Sequence, residues 1–149
     1  TKLLILLGTA AVVLTTGALL NSHKDKVDFG KSNTVVEFST NQVELLAQGS
    51  FSGRSDHITT GQVSLQKTPI GYQLTFAANF SLDGAPDPIV ALGNSETYLP
   101  INKIGALKNK AGQQTYQLPA SFTPGQFSEV YVWCEQFSVP LGIAQLASK

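Results

Sequence analysis

Hydrophobic positions along the chain fall into two regimes. Leu3 to Leu20 reads LLILLGTAAVVLTTGALL, 18 residues without a charge. As a helix it would be roughly 27 Å long, close to the hydrocarbon core of a bilayer at about 30 Å. It has no polar face, so it does not suit the surface of a globular domain. Two readings compete: a retained signal anchor that crosses the bilayer once, and a signal peptide with Thr16-Gly17-Ala18 as its cleavage site. The expectation is the anchor over residues 1–20, with residues 3–20 in the lipid bilayer. Lys2 on one side nearly balances Lys24 and Lys26, offset by Asp25 and Asp28, on the other. The two-residue head is expected to stay in the cytoplasm. That puts the remainder on the extracytoplasmic side, in a periplasm, a lumen or the cell exterior.

Residues 21–33 are polar, with Lys, Asp and Ser, and read as a linker. Over residues 34–149 the pattern changes to short runs of period two, which predict strands. Residues 34–38 (TVVEF) form a first β-prone run and residues 43–51 a second. Residues 62–66 alternate polar and apolar, and residues 72–76 do the same and continue to Phe80. Pro69 and Gly71 mark the turn between them. Asp83-Gly84-Ala85-Pro86-Asp87 carries turn chemistry. Residues 89–92 are continuously apolar, as in a buried strand. Residues 109–113 predict a turn and 115–118 a strand, ended by Pro119 and Pro124. Residues 127–139, with Val130, Tyr131, Val132, Trp133 and Phe137, give the strongest strand signal, and residues 143–146 a last one. No stretch after residue 21 has helical periodicity with caps. The predicted class is all-β, a β-sandwich or barrel-like domain, preceded by one transmembrane α-helix.

Composition narrows the function. Lys plus Arg is 10 and Asp plus Glu is 10, a net charge of zero. There is no basic stripe to displace counterions from phosphates, so no nucleic-acid partner is expected. Charged residues are 13%, about half the roughly 25% of soluble domains. Hydrophobic residues are 42% with eight Phe, enough to bury a core. One Cys excludes an internal disulfide framework. The chain has no Gly-x-Ser-x-Gly elbow, phosphate-binding loop, dinucleotide fingerprint or His-Glu-x-x-His. Hydrolase, transferase and dinucleotide chemistry therefore lack a motif.

Residues 44–147 carry a pattern of motifs in order. Gly49-Ser50-Phe51-Ser52-Gly53 opens it, followed by His57 and Gly61-Gln62-Val63. Residues 74–80 then lead into Asp83-Gly84-Ala85-Pro86-Asp87, and 104–108 into Gly112-Gln113-Gln114-Thr115-Tyr116-Gln117-Leu118-Pro119. Val130-Tyr131-Val132-Trp133-Cys134, Phe137-Ser138-Val139 and Gly142-Ile143-Ala144 complete it. This pattern resembles the DM13 domain family, apart from the extra Ala85 between Gly84 and Pro86. The resemblance implies part of an extracytoplasmic electron-transfer system. It also implies that the Cys of the Trp-Cys pair, here Cys134, is a redox thiol or a haem ligand.

The residues themselves allow the same roles and simpler ones. Cys134 has no internal partner, so it suits a redox thiol, a ligand or half of an intermolecular disulfide. On a strand it shares a face with Val130 and Val132, with Tyr131, Trp133 and Glu135 opposite. The alternative is a small buried hydrophobe. His57, in Asp56-His57-Ile58, is a candidate second ligand or neighbour of the thiol; otherwise it is a loop His bonded to backbone. Trp133 with Tyr131 suits an electron relay or a stacking platform, or plain packing. Haem on Cys134 and His57 is disfavoured: there is no Cys-x-x-Cys-His for covalent attachment and no Met for an axial bond. The sequence requires no cofactor and does not identify one. A structural zinc lacks ligands, and Asp83 and Asp87 read as turn formers rather than calcium ligands. The sequon Asn79-Phe80-Ser81 falls inside a predicted strand. Two functions follow as expectations. One is a membrane-anchored electron-transfer module acting through Cys134, with His57 and Trp133 beside it. The other is a non-catalytic accessory or scaffold subunit of a larger membrane complex. Gly8, Ala11 and Gly17 would allow the anchor to pack against integral membrane partners.

Overall fold

In a computed structural model, residues 42–149 are described; the expected anchor, the linker and the run 34–38 lie outside them. Alternation and turn residues cut this region into eleven strands, and it contains no helix, hence none long and apolar enough to cross a membrane. The strands are β1 (Glu44–Gly53), β2 (Thr59–Thr60), β3 (Gln62–Thr68), β4 (Gly71–Phe76), β5 (Ser81–Leu82), β6 (Pro88–Asn94), β7 (Thr97–Ala106), β8 (Gln114–Gln117), β9 (Glu129–Cys134), β10 (Val139–Gln145) and β11 (Ala147–Ser148).

Nine strands form one antiparallel sheet in the order β7-β6-β9-β10-β1-β3-β4-β8, with β11 also on β1; β2 and β5 pair separately. Strand β1 joins the two halves of the sheet. From Glu44 to Ser50 it pairs with β3, and from Phe51 to Gly53 with β10. A register shift between Leu45 and Ala47 interrupts its ladder, as a bulge does when a strand bends. The edge strands approach one another just past the end of β7. There Lys108 N–H donates to Tyr116 Oη at 2.9 Å, and Lys108 Nζ donates to the Thr115 carbonyl. No ladder links β7 to β8, so the sheet is a curled half-barrel, in keeping with the barrel-like expectation.

The inward face follows the alternation. Leu74 and Phe76 of β4, Val90 of β6, Val130 and Val132 of β9 and Leu141 of β10 are fully buried. Phe51, Phe76 and Phe80 form an aromatic cluster with ring centroids 4.8 to 5.4 Å apart, and Tyr116 adds a fourth ring 5.3 Å from Phe76. Burying each such ring stabilises the fold by about 1.5–3 kcal/mol.

Three strand readings need correction. The run expected to reach Phe80 ends at Phe76, because a turn closes it (Phe80 N–H to Ala77 O, 3.0 Å) and drops Phe80 back into the core. Asn79 of the sequon therefore lies in an exposed turn, where its Oδ1 accepts from Gln62 N–H at 3.1 Å. The run 127–139 is two strands: β9 ends at Cys134, Glu135 to Ser138 turn, and β10 begins at Val139. Phe137, which lengthened the apparent run, is 63% exposed at that turn. Strand β7 was not expected. It is an edge strand with Pro100 in it and Ile101 exposed, so neither alternation nor burial marks it.

Gly142 lets β10 pass close to β2. A Cβ there would sit 2.6 Å from Cβ and Cγ2 of Thr59, which is 2% exposed and donates its hydroxyl to Leu141 O at 2.7 Å. Gly142→Ala is expected to cost about 1–3 kcal/mol by overpacking. Thermal unfolding measures it; an unchanged midpoint would mean that Thr59 moves aside freely.

Candidate functional site

Strand β9 splits its side chains between two environments. Val130, Val132 and Cys134 face the core, while Glu129, Tyr131 and Trp133 face outward. Cys134 is 0% exposed, and its neighbours across the ladder are Pro88 on β6 and Val139 on β10. Its thiol donates to Pro86 O at 3.1 Å. Pro86 itself is exposed, so the sulfur lies one loop beneath the surface.

That loop, residues 83–87, is tied at both ends. Asp83 N–H donates to Ile58 O at 3.0 Å. The Asp83 carboxylate accepts from Ile58 N–H and from His57 Nδ1, each at 3.0 Å. These bonds, first the Ile58 amide and then His57, hold the Asp83 carboxyl below the usual carboxylate range. At the other end Glu135 N–H donates to Asp87 O at 3.2 Å. His57 and Cys134 thus meet the same short loop at different residues, and His57 bonds Asp83 rather than the sulfur. His57 is set there by a tight turn in which Ser55 and Asp56 both have positive φ.

The surroundings of Cys134 do not fit a haem. The sulfur is enclosed by core side chains and the Pro86 carbonyl. Two clefts, of about 330 Å³ between β7 and residues 119–127 and about 550 Å³ along β1 and β3, are lined by neither Cys134, His57 nor Trp133. No group of three His, Cys, Asp or Glu suited to a metal occurs among the described residues.

The outward face of β6, β9 and β10 is a lattice of cross-strand rows. Ile89, Trp133 and Pro140 form one row, Ala91, Tyr131 and Ile143 the next, and Gly93, Glu129 and Gln145 the third. Tyr98 of β7 covers it, with its ring 4.7 Å from Trp133 and 6.5 Å from Tyr131; Tyr131 and Trp133 are 6.4 Å apart. Gly93 admits the Tyr131 ring, since a Cβ there would lie 2.5 Å from Tyr131 Cε2. Trp133 is half-buried, whereas Tyr131 is 0% and Glu129 1% exposed.

Glu129 is the buried carboxylate of the described region, and it is fully bonded. It accepts from Tyr131 Oη at 2.5 Å, from Gln145 Nε2 at 2.5 Å and from Glu96 N–H at 2.9 and 3.1 Å. Burial alone would raise its pKa, but those donors and the charge of Arg54 together hold it low. Burial, then the bond to Glu129, push the Tyr131 phenol well above its ordinary value. The Glu96 amide belongs to the β6–β7 turn, where Ser95 and Glu96 both have positive φ without being Gly. Glu129 pins this strained turn from inside, and an Arg54–Glu96 ion pair of 3.3 Å pins it from outside. Sequence reasoning missed Glu129 and Tyr98. Glu129 shares the parity of Tyr131 and Trp133, which was a usable signal; Tyr98 lies on the unrecognised edge strand.

The profile of a family described as "Electron transfer DM13" matches residues 50–146. No curated protein and no solved structure matches the chain.

Proposed function

The chain belongs to the electron-transfer DM13 family, and from that premise we propose a redox module anchored in a membrane by residues 3–20, working outside the cytoplasm through the sulfur of Cys134. The family match carries the reading. Three features support the choice of sulfur. Cys134 is the single cysteine. Its thiol bonds Pro86 O in the five-residue loop 83–87, and Pro86 is exposed. The loop's outer tie is the His57–Asp83 pair, whose side chains are 29% and 37% exposed. Weakening that tie together with the Ile58–Asp83 bonds would let the loop open over the thiol without opening the sheet, as local openings do. Trp133, the adjacent residue, faces the outer surface and extends the redox-competent region there.

A second reading rests on one observation. At 0% exposure among aliphatic side chains, Cys134 has the surroundings of a core residue, which favours a non-catalytic accessory subunit docked to integral membrane partners. Alkylation of the full chain in its membrane separates the two. With the redox reading, Cys134 is alkylated slowly under reducing conditions and protected under oxidising ones, and His57→Ala speeds labelling. If labelling is equal at both poises and occurs only after unfolding, the sulfur is core filling and the accessory reading stands.

A further inference from the structure

We propose that Tyr131 is a site where this chain holds an oxidising equivalent, with Glu129 receiving the phenol proton and Trp133 and Tyr98 linking the ring to the surface. The proposal rests on the electron-transfer reading of the family but not on any role for Cys134, which points to the opposite face of β9.

The argument begins with the phenol. A neutral tyrosine that loses an electron becomes a strong acid at its O–H, so oxidation is favourable only where a base can take the proton at once. Tyr131 is fully buried and its O–H is already aimed at a carboxylate oxygen, Glu129 Oε2, at 2.5 Å. Water has no access to either group, so the proton has one destination. The step balances as follows: Tyr131 gives one electron to an external outer-sphere metal-complex oxidant of higher potential than the phenoxyl radical, and its proton passes to Glu129 Oε2. The products are a neutral tyrosyl radical, a protonated Glu129 and the reduced acceptor. Glu129 Oε1 keeps its bonds from Gln145 and Glu96 N–H, so the acid stays in place and returns the proton when an electron comes back.

The electron also has a path. Trp133 and Tyr98 are half-buried, and their rings lie 6.4 and 6.5 Å from Tyr131 and 4.7 Å from each other. An oxidant docked over them reaches Tyr131 by short aromatic steps. Tyr116 makes the contrast. It is also buried, but its O–H donates to the amide oxygen of Gln114 at 2.6 Å, a group that cannot hold a proton.

The test uses the full chain and a photogenerated ruthenium(III) tris-bipyridine oxidant, with the radical read by electron paramagnetic resonance and transient absorption. The expected result is a neutral tyrosyl radical that forms more slowly in heavy water. Tyr131→Phe should remove it and leave the hole on Trp133. Glu129→Gln should slow its formation by about tenfold or more, a barrier increase of roughly 1.4 kcal/mol. A tyrosyl radical that survives Tyr131→Phe, or forms at the same rate in Glu129→Gln, overturns the proposal. Tyr131→Phe keeps ring volume, and near-ultraviolet circular dichroism verifies its fold. If the wild-type chain yields no tyrosyl radical while Cys134 alkylation still follows redox poise, this proposal alone fails. If neither responds, the electron-transfer reading fails with it.

Discussion

Phe76→Ala is expected to lower stability by about 3–5 kcal/mol, the largest effect of any single change considered. Phe76 is 0% exposed at the end of β4, and its ring contacts three others, Phe51, Phe80 and Tyr116. Those rings come from β1, from the turn after β4 and from β8. Truncation therefore leaves a hole that no single backbone shift can close. Domains of this size hold only about 5–15 kcal/mol in total, so the variant should sit close to the threshold of folding. Urea denaturation measures it: the midpoint should fall by more than about 1 M at an unchanged slope. A loss below about 1 kcal/mol would show that the aromatic cluster repacks and is not the keystone of the core.

Glu129→Ala should rank second, at about 3 kcal/mol near neutral pH. It strands the Tyr131 hydroxyl and the Gln145 amide, and it frees the Glu96 N–H of a strained turn. Each buried donor left unpaired costs about 1–3 kcal/mol, with part of that recovered by entering water. Glu129→Gln should cost less, because an amide oxygen still accepts two of the bonds. The effect depends on pH with a definite sign. The folded protein holds this carboxyl below the ordinary Glu value of about 4.3. Its contribution is therefore complete above about pH 5 and is lost as pH falls through the unfolded and then the folded value. The gap between wild type and Glu129→Gln should narrow between pH 6 and pH 3, within about two units of the ordinary value. A gap constant over that range would mean that the charge of Glu129 does not contribute.

Much of the architecture was legible because burial and period coincide. Residues 62–66 and 72–76 alternate cleanly, and they form the hairpin of β3 and β4 around the Pro69–Gly71 turn. Residues 89–92 are apolar throughout, and β6 is buried on both faces. The unread parts are those where the two signals separate. Strand β7 is held by its ladder to β6 while exposing Leu99 and Ile101, so its composition looks like a loop. Phe137 is apolar but sits on a turn, which fused two strands into one. At the site, parity along β9 correctly set Cys134 apart from Trp133. It could not say that the sulfur would be capped by Pro86, nor that His57 would bond Asp83 instead. Those contacts join residues 48 and 26 positions apart, and only the tertiary packing of the loop 83–87 decides them. Glu129 was hidden by a general expectation that charged side chains on strands face water.

The double pairing of β1 bears on how the chain is made. Its first part meets β3 within about twenty residues, so that half of the sheet can assemble early during synthesis. Its last part, Phe51 to Gly53, pairs with residues 142–144, which leave the ribosome roughly ninety residues later. Until then an aromatic-bearing strand stays open on one side, with its backbone donors and acceptors unmet. Long-range closure of this kind makes folding slow and leaves partly folded chains prone to association. Nascent chains stalled before residue 142 should therefore be the ones that recruit chaperones, while those carrying β10 should not.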